Sequence, residues 1–260
     1  MHILLLGATG NLGRRLIPAL LVHGHQVTAY VRSASRLLSL IPASLVERIS
    51  IYEGDALDSQ AVESALRQHN CNAIVQTSGT RLAGKEQELG RMASSISAAA
   101  MRVGKDRGRT LRAWFIGGLG SLEYPRSGGG QIQDYLPDRM TRHHRETEEA
   151  LKAISTSELE WSLLCVAFMK PESEVVEDLT EPRRHQLIVR AGVPPEWQDS
   201  WFSYLPFVGS YLNVFLNIAP YQTKLENVAD MIAEDFDGGS ESESVGQLVG
   251  MKESRYRKIS

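Results

Sequence analysis

The chain has 260 residues, 42% of them hydrophobic, and a formal net charge of −3. That length admits one large α/β domain with a substantial core, and the slightly negative balance offers nucleic acid no general attraction. The most apolar late stretch, Leu205 to Pro220, falls short of the roughly 20 residues a transmembrane helix needs, and no leader pattern precedes the first strand, so a cytoplasmic protein without a transmembrane segment is expected.

In chain order, "HILLLG" reads as a strand buried on both faces. "NLGRRLIPALLVHG" follows as a helix with Leu12, Leu16, Ile17, Leu20 and Leu21 on one side. Pro18 is expected to kink this helix without ending it. "QVTAYVR" is a second strand, "SASRLLSLIP" a short helix or turn, and "RISIYEGD" a third strand. An amphipathic helix, "SQAVESALRQHN", leads to the fourth strand, "CNAIVQTSG". A long helix rich in small residues, "EQELGRMASSISAAAMRVGKDRG", then leads to "TLRAWFIGGLGSL", a fifth strand running into a glycine-rich turn. This βαβ alternation predicts an α/β fold with a doubly wound parallel sheet.

The second half is less regular. Tyr124 to Asp138 is expected to be a loop, "RMTRHHRETEEALKAI" a charged helix and "EWSLLCVAF" a sixth strand. From Lys170 to Pro220, prolines alternate with Trp197, Trp201, Phe202, Tyr204 and Phe207. That segment reads as a small irregular elaboration over the carboxyl ends of the strands, where ligands bind in such sheets, with Leu205 to Pro220 as a pocket wall or lid. "TKLENVADMIAEDF" is a last helix, "SVGQLVGM" a closing strand and "KESRYRKIS" a frayed basic tail. The chain is therefore expected to form a single domain, with a nucleotide-binding core over 1–170 and a C-terminal substrate-pocket elaboration over 171–260. Cys71 and Cys165 are expected to be reduced core thiols.

Gly7, Gly10 and Gly13 form G-x-x-G-x-x-G between the first strand and the first helix. The first glycine allows the sharp turn, the second lets a pyrophosphate approach the backbone, and the third lets helix and strand pack closely. Amides around Asn11 and Leu12 would face the phosphates, with the helix dipole favouring their charge. An NAD site usually ends its second strand in a carboxylate for the ribose 2′-hydroxyl. This chain has Arg32 there, followed by Ser33 and Arg36. A guanidinium can bind a 2′-phosphate bidentately, so NADP(H) is the expected cofactor. Asp55 is placed to accept from the adenine amine, and Thr9, Ala56, Thr77, Ser78 and Gly79 complete the expected cofactor-binding set.

"GATGNLGRRL", "VTAYVRSASRL", "GDALD", "FIGGLGSL" and "TEEALKAI…LEWSLL" together resemble the atypical short-chain dehydrogenase/reductases, in particular the NmrA-like and NAD(P)H-binding groups. The similarity covers roughly residues 1–170 and implies a Rossmann fold, NADP(H), and oxidation or reduction of a small molecule. The chain departs from the family's usual tyrosine and lysine four residues apart. Those positions fall near Met140 and His144, and the usual Arg-Pro after strand six falls on Cys165 and Val166.

Candidate catalytic groups follow from the need for a proton source beside the nicotinamide. Ser121 ends the fifth strand, Tyr124 and Tyr135 lie in the following loop, and His143 and His144 sit on the charged helix. Adjacent helical residues point about 100° apart, so one histidine at most faces the pocket. His144 is the candidate, as an imidazole titrating near neutrality, with Ser121 and Tyr135 beside it. No metal-ligand spacing is present. The expected function is an NADP(H)-dependent reductase of a bulky apolar or aromatic small molecule, in a monomer or homodimer. A nucleotide-sensing regulator and a non-redox isomerase or cyclase are the alternatives.

Overall fold

The opening apolar run becomes β1 (His2–Leu6), buried at every position but the first, because helices cover both faces of the sheet it belongs to. Helix α1 (Asn11–Val22) and strand β2 (Gln26–Val31) follow. The helix continues through Pro18, which is itself buried; the proline forfeits a main-chain bond without ending the element. Two short helices, α2 (Ala34–Leu38) and α3 (Ala43–Val46), lead to β3 (Ser50–Glu53). The second of them, a single turn begun at Pro42, was not foreseen in the sequence. Asp58 caps α4 (Ser59–Gln68) by accepting from the amides of Gln60 and Ala61. Then come β4 (Ala73–Gln76), α5 (Glu88–Arg107), β5 (Arg112–Gly118), α6 (Asp138–Lys152) and β6 (Glu160–Val166). The last third contributes β7 (Phe168–Lys170), β8 (Leu187–Ala191), α7 (Gly209–Ile218), β9 (Gln222–Lys224), α8 (Leu225–Asp235) and β10 (Leu248–Glu253). This computed structural model describes residues 1–79, 88–205 and 208–254. Phe207 and residues 255–260 of the expected tail lie outside the described residues.

Eight strands form one sheet in the order β3-β2-β1-β4-β5-β6-β10-β8. All neighbours run parallel except β10 and β8, so the expected doubly wound, Rossmann-like α/β sheet is the fold. Alternation along β1 separates the two cores. Ile3 and Leu5 pack with Leu16 and Leu20 of α1 and Val228 and Ile232 of α8. Leu4 and Leu6 pack on the other side with Leu66 of α4 and Ile96 and Val103 of α5. The chain leaves β1 toward β2 and β3, then crosses back to β4 on the opposite flank. Connections depart in opposite directions there, which opens a crevice at the carboxyl ends of β1 and β4.

Two features of the last third differ from expectation. β8 lies within the segment read as an elaboration over the strand ends, yet it is the antiparallel edge of the main sheet. Its sequence, Leu-Ile-Val-Arg-Ala, shows no period-2 alternation, and its burial pattern has none either. Lys252 and Glu253, read as the start of a frayed tail, belong to β10 and pair with Ile188 and Leu187. A buried ionic knot ties α8 to the sheet: Arg112 of β5, almost wholly buried, donates to Asp235, Ser162 and Ser244. The Trp114 indole donates to the same Asp235 oxygen at 2.8 Å. Cys71 and Cys165 are free and buried, and burial pushes the Cys71 thiol up to about 11.

Candidate active site

A cleft of about 460 Å³ occupies the crevice predicted by the strand order. Its walls are the ends of successive parallel strands: Gly7, Thr9, Gly10 and Asn11 after β1, Arg32 and Arg36 after β2, Asp55 and Ala56 after β3, and Thr77, Ser78 and Gly79 after β4. Leu12 and Gly13 lie behind this wall. Leu12 is buried, and a Cβ on Gly13 would run into the carbonyl of Gly7, so only glycine lets α1 start this close to β1. Gly7 holds a φ of +84°, and a Cβ there would stand 2.5 Å from the amide nitrogen of Ser78. Gly10 is the extended N-cap of α1, and no side chain caps that first turn. The helix therefore presents uncapped amides and its positive end to the cleft, which fits a diphosphate.

At the far rim Arg32 and Arg36 are exposed, and neither guanidinium has a hydrogen-bond or ion-pair partner among the described residues. Ser33 caps α2, accepting from the Arg36 amide at 3.4 Å, and its hydroxyl lies 2.9 Å from that of Ser35. The Asp55 carboxylate accepts from the Leu57 amide at 3.0 Å, and its carbonyl accepts from the Tyr30 hydroxyl at 2.9 Å. Tyr30 is buried and stacks on Tyr52; burial raises its phenol well above the ordinary range, which keeps it a donor. Sequence reasoning missed Tyr30, Leu57 and Met92 as cleft residues. It also missed Glu53, which does not line the cleft but whose carboxylate accepts from the Ala34 amide at 2.5 Å. A chain-order reading carries no signal for such contacts between strand ends.

The three expected catalytic groups lie elsewhere. None of Ser121, Tyr135 and His144 is among the residues lining the nucleotide-sized cleft. Ser121 ends a 3₁₀ turn (Leu119–Ser121) and is fully buried. Its carbonyl accepts from Gln131 at 2.9 Å, while its hydroxyl has no partner among the described residues. The His144 ring packs against Gly118 so closely that a Cβ there would lie 2.5 Å from Cδ2 and 3.0 Å from Nε2. Burial, followed by the neighbouring His143 ring at 4.0 Å, lowers His144 to about 4. An imidazole titrating near neutrality is thus not what the fold provides. At pH 7 this ring is neutral, a hydrogen-bonding group and not a ready acid. Its Nδ1 is buried without a partner.

Tyr135 packs edge-to-face on Tyr124 at 4.8 Å and lines a second cleft of about 470 Å³ with Leu136, Leu205, Ser210 and Tyr211. Part of the stretch read as a pocket wall, Leu205 to Pro220, therefore does border a cleft. Tyr124 itself is buried, its oxygen accepting from Asn213 at 3.0 Å. Met140 is exposed. Behind Ser121 a buried network unseen in the sequence joins Gln131 and Gln133 to Glu148, which also accepts from Lys152 at 2.6 Å. Among the described residues no group of three or more His, Cys, Asp or Glu could hold a metal ion. None of their helices is long and apolar enough to cross a membrane.

A family described as NAD(P)H-binding matches residues 7–193. The chain belongs to this NAD(P)H-binding family. The resemblance to atypical short-chain dehydrogenase/reductases is borne out at the level of this NAD(P)H-binding family. A short-chain dehydrogenase/reductase from Veillonella parvula, solved in complex with NADP, superposes with a TM-score of 0.63 at 16% identity, covering 98% of this chain and 95% of that one. An oxidoreductase from Lactococcus lactis superposes with a TM-score of 0.62 at 16% identity, covering 98% and 91%. Among curated relatives, an oxidoreductase of Aspergillus novofumigatus is 38% identical over 71 residues, 26% of this chain and 26% of that protein. A 3-diazoavenalumate denitrifying reductase of a Streptomyces species is 44% identical over 66 residues, 25% of this chain and 19% of that protein. The chain thus matches about a quarter or less of the length of these curated relatives.

Proposed function

We propose that this family member is an NADP(H)-dependent reductase of a bulky apolar or aromatic small molecule. The observation that carries the reading is the cleft itself, with uncapped α1 amides at one end and two unpartnered guanidiniums, Arg32 and Arg36, at the other. In this assignment the Gly7–Gly13 turn holds the diphosphate, and Arg32 with Ser33 holds the 2′-phosphate. Asp55 and Ala56 flank the adenine, and Thr77, Ser78 and Gly79 lead toward the nicotinamide ribose. Bound there, the coenzyme supplies two-electron transfer at its nicotinamide. The chain's own part is to orient substrate and deliver a proton: the neutral His144 ring polarises a carbonyl, with the Ser121 hydroxyl and the Tyr135 phenol as the remaining proton-bearing groups. The aromatic cleft around Tyr135 and Tyr211 supports an apolar or aromatic substrate.

A panel of carbonyls, enones and quinones, each incubated with stereospecifically tritiated NADPH, tests this directly. Label is expected in one product from one face of the coenzyme; no transfer to any member contradicts the reductase reading. A second reading, a nucleotide-sensing regulator, is favoured by one observation: no expected catalytic group lines the nucleotide cleft. Such a protein would bind oxidised and reduced coenzyme with clearly different affinities and turn nothing over.

A further inference from the structure

We propose that Glu53 is a specificity-determining residue of the nucleotide cleft, whose carboxylate restrains the preference for the 2′-phosphorylated coenzyme. The inference rests on the NADP(H) assignment above. Parallel pairing sets Glu53 opposite Val31, and the Gly54 amide donates to the Val31 carbonyl at 2.9 Å. The ends of β2 and β3 are therefore one strand spacing apart, about 4.8 Å. Arg32 follows Val31 directly, and Arg32 and Gly54 both line the cleft. Glu53 reaches across that gap: its Oε1 accepts from the amide of Ala34 at 2.5 Å. This single contact holds an exposed carboxylate against the stretch of backbone that carries Arg32 and Ser33. Among the described residues neither Arg32 nor Arg36 pairs with it, so its charge is not cancelled by the groups assigned to the phosphate.

Two opposed effects follow at the same atom. A 2′-phosphate seated on Arg32 and Ser33 meets the negative charge that the Ala34 amide holds beside them, which costs affinity. A ribose 2′-hydroxyl in the same place meets a hydrogen-bond acceptor, the role that a carboxylate at the end of the second strand plays in NAD sites. Both effects narrow the gap between phosphorylated and unphosphorylated coenzyme. A chain with Arg32 alone would discriminate strongly; with Glu53 beside it, discrimination is held down.

The test is calorimetric titration of the full chain with NADPH and with NADH, in the parent protein and in Glu53→Gln, Glu53→Ala and Arg32→Ala. Glutamine keeps an oxygen for the Ala34 amide and removes only the charge. The NADPH-to-NADH affinity ratio is expected to rise about 5- to 10-fold in Glu53→Gln, mainly through tighter NADPH, with the gain shrinking at high salt. Glu53→Ala should move the ratio the same way. An unchanged or lowered ratio in both variants overturns the proposal and leaves Glu53 as a structural cap. If Arg32→Ala weakens NADPH while the Glu53 variants leave the ratio alone, the phosphate assignment stands and only the role of Glu53 fails. If Arg32→Ala leaves NADPH affinity untouched, the phosphate assignment fails and the proposal falls with it.

Discussion

The glycine-walled cleft and the region of the candidate catalytic groups, the proposed nucleotide and chemistry ends, are built by different means. At the ends of β1 and β4 the cleft is made of backbone: a glycine turn at positive φ, uncapped amides, and a helix seated against a carbonyl. Beyond β5 the candidate groups are side chains from separate segments, with Ser121 buried in a turn and His144 lying on Gly118. Tyr135 faces a separate cleft. Backbone sites leave little freedom to sequence, since a cradle for phosphate needs glycine at set spacings. Side-chain sites can be assembled in many ways, so one chemistry end can differ from another on the same frame.

The largest expected effect is on the frame both ends share. Asp235→Ala leaves Arg112 buried without its ion-pair partner and removes the acceptor of the Trp114 indole. Removing one member of such a pair costs about 3–5 kcal/mol, measurable by urea unfolding. If nucleotide affinity of the folded fraction fell equally, the two ends would not be separable as described.

Next comes the backbone end. Gly13→Ala drives a methyl group into the Gly7 carbonyl, so nucleotide affinity should drop by about 100-fold and stability by roughly 1–3 kcal/mol. Calorimetry and thermal unfolding read the two separately. A variant that binds as the parent does would show that the close approach of α1 to β1 is not what forms the cradle.

The region of the candidate catalytic groups has a signature of its own in pH. His144 is held at about 4, below its ordinary 6.5, by burial and then by His143. A lowered histidine contributes stability that is complete above the unfolded value and is lost as pH falls through the folded one. Between pH 6.5 and about 4 the parent should therefore lose roughly 2–3 kcal/mol that His144→Asn does not lose. Parallel losses in both proteins would remove the case for a neutral, desolvated ring.

The smallest effect sharpens the contrast most cleanly. Gly118→Ala pushes the His144 ring off its seat at a cost of about 1 kcal/mol. Histidine NMR titration should then show that ring moving back toward 6.5, the ordinary value, while nucleotide affinity stays within about twofold.

This contrast also explains what could be read in advance. Gly7, Gly10, Gly13, Arg32 and Asp55 stand in chain order at strand ends, where spacing alone assigns a role, and the cleft contains or adjoins every one. Glu53 was overlooked because its meaning lies in an amide 19 positions away, reached only through strand pairing. The network of Gln131, Gln133 and Glu148 has no periodicity to announce it. Strand β8 was hidden because its neighbour in the sheet, β10, comes some 60 residues later. His144 was expected to titrate near neutrality, but burial lowers it to about 4, and burial is set by the fold and not by sequence position.

The central claim is that the glycine-walled cleft of this chain holds NADP(H). Titrating the full chain with NADPH in a calorimeter tests it most directly. Saturable binding of one coenzyme per chain, tighter than NADH and weakened about 100-fold by Gly13→Ala, is the predicted result. The absence of any heat of binding up to millimolar NADPH would contradict the account at its root.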